Sequence, residues 1–265
     1  MAYEFLKIEK DRHVAVVTFS RPEKLNALNV GMMNEILHVA ESFREDAGTR
    51  VVIFTGAGSM FSAGVDLTDP VYMQHVEKDS TLLKLRFFRE GSRMIKALYD
   101  IEQITIAAIN GSATGGGACI AAACDFRVGA DNCRVGYPEV GLGMNLSWGA
   151  LPMCVRLVGP ARAKKMVILA KRENAETLYQ WGFLDEVAPP GKLLPAAWKL
   201  AEEFAAKPPI AAQMVKRSVN AIASAMDQAV MHMDGDQFSI SIQSQDCREG
   251  ITAFLEKREA DFKGD

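Results

Sequence analysis

Apolar positions along this chain change their spacing from region to region. "YEFLKIEKD" and "HVAVVTFS" alternate or run apolar with β-branched residues, which predicts a hairpin pair joined at Asp11-Arg12. The polar, proline-led "RPEKLNALN" is a loop. Over 30–46 the apolar residues take helical spacing, with Met32, Ile36, Val39 and Phe43 on one stripe. "RVVIFTG" (50–56) is a continuous apolar run ending in glycine, the pattern of a strand buried on both faces. Residues 57–70 are rich in small side chains and read as a loop, and 79–98 as a helix with Leu82, Leu85, Phe88 and Ile95 inside. "ITIAAING" (104–111) repeats the buried strand followed by glycine, and "GGGACIAAACD" continues as a helix of small residues.

Short strands follow at "FRVGA" and "CRVGYPE", then helices at "WGALPMCVRLVG" and "PARAKKMVILAK", separated by Gly-Pro. "NAETLYQWGFLDEVAP" reads as a short helix and a strand. From 191 onward nearly everything is helical, with Pro208-Pro209 as punctuation. Strand-turn-helix units with little in-out alternation, followed by a helical tail, predict an α/β class.

Composition narrows the function classes. A chain of 265 residues that is 49% hydrophobic buries a sizeable core, and a net charge of −3 without a dense Lys/Arg stripe does not point to nucleic acid. The odd set Cys119, Cys124, Cys133, Cys154 and Cys247 lacks C-x-x-C spacing, so reduced thiols are expected and a metal site is not. No apolar run is long enough to span a membrane, and "MAYEFLKIEK" lacks the pattern of a signal peptide. A cytoplasmic location is the expectation.

Two strand ends share one design: 50–55 runs into "GAGSMFSAGVDL" and 104–109 into "NGSATGGGACI". Glycines there let backbone amides face a pocket, and the second turn opens a helix whose start is electropositive. The glycine triplet has three readings. It fits neither the P-loop nor the dinucleotide fingerprint of a phosphate cradle. It suits close packing of helix on strand, and it suits an oxyanion hole.

"RPEKLNALN" (21–29), "FSAGVDL" (61–67), "INGSATGGGACIAAACDFRVG" (109–129) and "YPEVGLG" (137–143), in this order, resemble the successive signatures of the crotonase superfamily, the enoyl-CoA hydratases and isomerases. The tail "DCREGITAFLEKREADFKG" resembles the family's closing helix. The resemblance covers essentially the whole chain. It implies an α/β fold: a crotonase-type spiral of repeated β-β-α turns over 1–200 carrying the CoA-thioester site, then a C-terminal helical oligomerisation region over 201–265. It implies an acyl-CoA substrate, no permanently bound cofactor beyond the coenzyme A carried by that substrate, and a homotrimer or dimer of trimers.

By the same resemblance, Val65 and Gly116 supply the oxyanion-hole amides. Lys24, Leu25, Ala63, Asp66, Leu67 and Thr68 are candidate CoA contacts, while Phe254 and Lys257 match positions that reach CoA from a neighbouring subunit. Taken alone, Asp66 is equally a turn residue, Lys24 a solvated lysine, and 246–264 an ordinary amphipathic helix. Glu139, in "GYPEVGLG", matches one catalytic acid, and its apolar neighbours imply a raised pKa suited to proton transfer.

The other hydratase glutamate has Cys119 at its position, while Ser147 occupies a place where some relatives carry a further acid. Trp148 is bulky for its segment and either shapes the acyl pocket or simply packs. One base suffices to move a double bond from the 3,4 to the 2,3 position, whereas hydration shares its work between two carboxylates. The expectation is therefore a one-base enoyl-CoA isomerase using Glu139, with 2-enoyl-CoA hydration as the alternative. An acyl-CoA hydrolase with a Cys119 nucleophile, activated near a helix start, and a non-catalytic CoA-thioester binder are further readings.

Overall fold

The computed structural model describes residues 3–265, apart from the side chain of Gln228; Met1 and Ala2, the start of the expected first region, lie outside them. β1 (Leu6–Asp11) and β2 (Val14–Phe19) form the expected antiparallel hairpin. The chain then passes through α1 (Val30–Ser42), β3 (Val51–Gly56), α2 (Pro70–Lys78), α3 (Thr81–Tyr99) and β4 (Ile104–Ile109). β5 (Ser112–Thr114), α4 (Gly116–Ala123), β6 (Phe126–Ala130) and β7 (Arg134–Gly136) follow. Beyond them lie α5 (Ala150–Val158), α6 (Pro160–Ile168), β8 (Glu173–Asn174), α7 (Ala175–Trp181), β9 (Glu186–Ala188) and α8 (Leu193–Ala205). The last helices are α9 (Pro209–Ala223), α10 (Asp227–Met231), α11 (Asp234–Ser241) and α12 (Gln245–Glu256).

A six-stranded sheet runs β1-β2-β3-β4-β6-β9, parallel from β2 onward, and a three-stranded sheet runs β5-β7-β8. The continuous apolar runs are explained by burial on both faces. Val52, Phe54, Ala107 and Ile109 enter the large core beneath α1, α3 and α4. Their neighbours Val51, Ile53, Ile106 and Ala108 enter a smaller core with Leu193, Ala197 and Ala201 of α8. Repeated strand-strand-helix units in a mixed α/β fold are what the crotonase resemblance implied.

The structure adds to or departs from the sequence reading in three places. Residues 70–78 form α2, started by Asp69, whose carboxylate accepts the Val71 amide. Leu82, expected inside, is 58% exposed, because the residues of α3 that reach the core lie from Phe88 onward. Residue 200, where the expected division was drawn, lies within α8, and the chain leaves helix at Ala206–Pro208 before α9 begins.

Candidate active site

The two glycine turns come together by backbone pairing. Ser62 bridges to Ala113 and Leu28 to Val65, and the Thr114 amide donates to the Ser62 carbonyl at 3.0 Å. Gly64, at φ +90°, lies so close that a methyl placed on it would be 2.7 Å from the Thr114 oxygen and 3.4 Å from the Gly116 nitrogen. The Leu28 amide donates to Gly64 O and the Asp66 amide to Leu28 O, which leaves the intervening Val65 N–H without an acceptor. Gly116 is the first residue of α4, so its N–H has no partner within the helix. Among the described residues neither amide is hydrogen-bonded. They are adjacent, pre-set donors, and that of Gly116 also lies at the positive end of α4.

Glu139 reaches the same place from β7. The pairing of β5 with β7 and a 3.0 Å bond from the Gly115 amide to Gly136 O hold the end of β7 beside the turn. Glu139 then opens a single 3-10 turn, Glu139–Leu142, after Pro138. Its Oε2 is sealed from solvent and has no hydrogen-bond partner among the described residues. Burial pushes its carboxyl up to about 7, against a smaller opposing effect of its own backbone amide. A carboxyl with that value exchanges protons readily near neutral pH.

Cys119 lies one turn into α4 and is 2% exposed. Burial pushes its thiol well above the ordinary range, and the charges of Glu139 and Asp234 push it further. The activation expected of a helix start is outweighed, which removes the argument for a Cys119 thiolate nucleophile. Trp148 has a left-handed backbone, φ +65°. Its indole lies against Gly116, where a methyl would be 2.5 Å from Cζ3, and against Gly91 of α3. Ser147, partly exposed, accepts the Ala150 amide through its carbonyl at 3.4 Å.

Residues 9–265 match the family described as enoyl-CoA hydratase/isomerase. The chain is 36% identical to a crotonyl-CoA hydratase of Syntrophomonas wolfei over 99% of both chains. It is 33% identical to a short-chain-enoyl-CoA hydratase of Clostridium acetobutylicum, over 95% of this chain and 94% of that one. The chain belongs to the enoyl-CoA hydratase/isomerase family. It is thus an enzyme of a family that acts on CoA thioesters. Among solved structures, an enoyl-CoA hydratase of Mycobacterium avium subsp. paratuberculosis superposes with TM-score 0.87 at 26% identity, over 99% of this chain and 100% of that one. A carnitinyl-CoA hydratase of Mycobacterium avium superposes with TM-score 0.85 at 28% identity, over 100% of both.

Within the enzyme, Lys24, Leu25, Ala63, Leu67 and Thr68 fall on neighbouring loops, joined by the Ala63 amide donating to Leu25 O at 3.0 Å. Asp66 is turned inward instead. Its Oδ1 accepts from the Thr68 amide and hydroxyl, and its Oδ2 from Arg21 at 3.1 Å. Burial alone would raise its pKa, but these donors outweigh it and leave the carboxyl below its usual value. Phe254 is exposed on α12, and Lys257 is the left-handed C-cap of that helix. Among the described residues no hydrogen bond ties them to this group.

Sequence reasoning missed three residues. Arg21 clamps the two loops through Asp66 and the Ala27 carbonyl. Gly91 makes room for the indole. Asp234 is a buried acid in the helical tail. Arg21 sits inside a motif that was already singled out; nothing local marks the other two. Among the described residues no helix is long and apolar enough to cross a membrane.

Proposed function

We propose that the enzyme stabilises an enolate at a thioester oxygen and uses Glu139 as its single acid/base to convert 3-enoyl-CoA into 2-enoyl-CoA. The observation that carries this reading is the meeting of two unpartnered amides, Val65 and Gly116, with one buried carboxyl whose Oε2 is unpartnered. Ionised Glu139 takes a proton from C2 of the substrate. The electron pair of that C–H bond delocalises onto the thioester oxygen, which accepts hydrogen bonds from the two amides. Glu139 returns the proton at C4, the 3,4 double bond opens, and the 2,3 double bond forms. Amides fixed in advance need no reorganisation as charge develops, and one such donor is worth on the order of a hundredfold or more in rate.

In this reading Cys119 stands where hydratases carry their other glutamate, and its raised thiol pKa supports a neutral, non-reacting side chain. Lys24, Leu25, Ala63, Leu67 and Thr68 would line the CoA channel, with Phe254 and Lys257 reaching it from a neighbouring subunit. The exposed apolar residues Ile210, Met214, Ile222 and Ile240 support assembly into a trimer or a dimer of trimers.

Hydration of 2-enoyl-CoA is the second reading, favoured by relatives named as hydratases. Purified enzyme offered 3-enoyl-CoA and 2-enoyl-CoA separately distinguishes the two. Conjugated product from the 3-enoyl substrate, abolished in Glu139→Ala, supports isomerisation. Brisk hydration of crotonyl-CoA without isomerisation sinks it.

A further inference from the structure

We infer that Trp148 is a wall across the acyl pocket that restricts this enzyme to short acyl chains, and that Asp234 is the positioning residue that holds the wall in place. The inference rests on the acyl-CoA chemistry proposed above.

The indole is held between two glycines from different helices. A methyl on Gly116 would lie 2.5 Å from Cζ3 and 2.9 Å from Cη2, and a methyl on Gly91 would overlap Cε2 and Nε1. The ring thus spans from α3 to the turn that carries the Gly116 amide. Trp148 is half-buried: it packs against the large core and keeps part of its surface uncovered. A thioester whose oxygen meets the Gly116 amide would have its acyl tail beside this ring. Leu28 closes the same neighbourhood, with its Cδ1 3.0 Å from where a Gly116 methyl would sit.

The ring is not placed there by local preference. Trp148 and Gly149 both have left-handed backbones, φ +65° and +66°. A bulky side chain in that region is strained and persists only where its surroundings hold it. What holds it comes from far along the chain. Asp234, at the start of α11, is 4% exposed, and its Oδ2 accepts the Gly149 amide at 2.9 Å. Its Oδ1 is shut off from water with no donor among the described residues. Burial raises this carboxyl to about 6, against the pull of the Gly149 and Trp148 amides. α11 is itself seated on α3 by Phe88 packed edge-on to Phe238 and by Arg89 paired with Asp236 at 3.1 Å. The same contacts therefore fix the turn and the helix that carries Gly91.

The test compares chain lengths in Trp148→Ala, Asp234→Ala, Asp234→Ser, Asp234→Asn and the Trp148→Ala/Asp234→Ala double variant. Affinity is measured by titration with butyryl-CoA and decanoyl-CoA, and kcat/KM with enoyl-CoA substrates of the same lengths. Each methylene newly buried is worth roughly fourfold, so Trp148→Ala is expected to raise decanoyl-CoA affinity relative to butyryl-CoA by about tenfold or more. Asp234→Ala, or Asp234→Ser should the alanine variant not fold, is expected to shift the ratio in the same direction. It adds nothing once Trp148 is gone. Asn keeps an acceptor oxygen for the Gly149 amide and is expected to keep the parent ratio. An unchanged ratio in Trp148→Ala overturns the wall. A uniform loss at all lengths in the Asp234 variants, or an asparagine variant that behaves like alanine, overturns the clamp. Because titration needs no turnover, a changed affinity ratio without enoyl-CoA conversion sinks the proposed chemistry and leaves the wall standing.

Discussion

A methyl placed on Gly115 would lie 3.1 Å from Oε1 of Glu139, so the carboxyl is laid directly against the glycine that immediately precedes α4. That contact brings the acid from β7 to the amide turn after β5. Gly115 also has φ +55° with ψ −120°, a conformation that side chains rarely adopt.

Gly115→Ala is therefore expected to cost about 1–3 kcal/mol of stability and to displace Glu139. A shift of about 1 Å in a reacting group lowers the rate on the order of a hundredfold. Denaturant titration and kcat measured on the folded variant check the two effects separately.

Replacing Glu139 with Gln should lower kcat about 10²- to 10⁴-fold, the range of general acid–base catalysis. The acidic limb of the parent kcat/KM profile, expected near the Glu139 value of about 7, should vanish in the residual activity. The stability effect has the opposite sign. The folded value of about 7 lies above the ordinary 4.5, so the contribution of Glu139 is fully present below 4.5 and is lost as pH rises through 7. Ionising it in place costs about 3 kcal/mol. The glutamine variant should match the parent at pH 4 and exceed it at pH 9, read from unfolding midpoints.

Cys119→Glu should create hydration of 2-enoyl-CoA, by about a hundredfold or more over the parent, if the missing second carboxyl is what limits that reaction. The new acid enters a site that is 2% exposed and already feels Glu139 and Asp234, so the melting temperature should fall. A variant that folds, retains isomerisation and gains no hydration would count against the two-carboxylate argument.

Asp125 follows Cys124 in the same stretch, yet its work is structural. Its Oδ2 pairs with buried Lys216 at 2.6 Å and accepts from the Thr105 amide and hydroxyl. Asp125→Ala leaves the lysine charge buried and should cost about 3–5 kcal/mol, while the kcat of the folded fraction stays unchanged.

Much of the fold was legible because local patterns carry it. The runs "VVIFT" and "ITIAAI" are apolar on consecutive residues, and both faces of those strands are buried. Asn29, ahead of the helical stripe, caps α1 by accepting the Met32 amide at 2.8 Å. Leu82 misled because periodicity reports which face of a helix is apolar, not how far a partner surface extends along it. The inward turn of Asp66 was not legible, because a motif fixes where a carboxylate starts and Arg21 decides where it points.

By itself, the sequence determined the element types, the two glycine turns, Glu139 as the acid near them and membership of a CoA-thioester family. These reside in stretches whose residues are neighbours along the chain. Only the tertiary structure decided that Asp234 holds the turn after Trp148 across a separation of 85 residues, and that Gly91 and Gly116 receive the indole between them. It also decided that the Cys119 thiol is raised rather than activated. Each of these depends on desolvation and on contacts between separate elements. Spacing along one element carries no record of what another element brings against it.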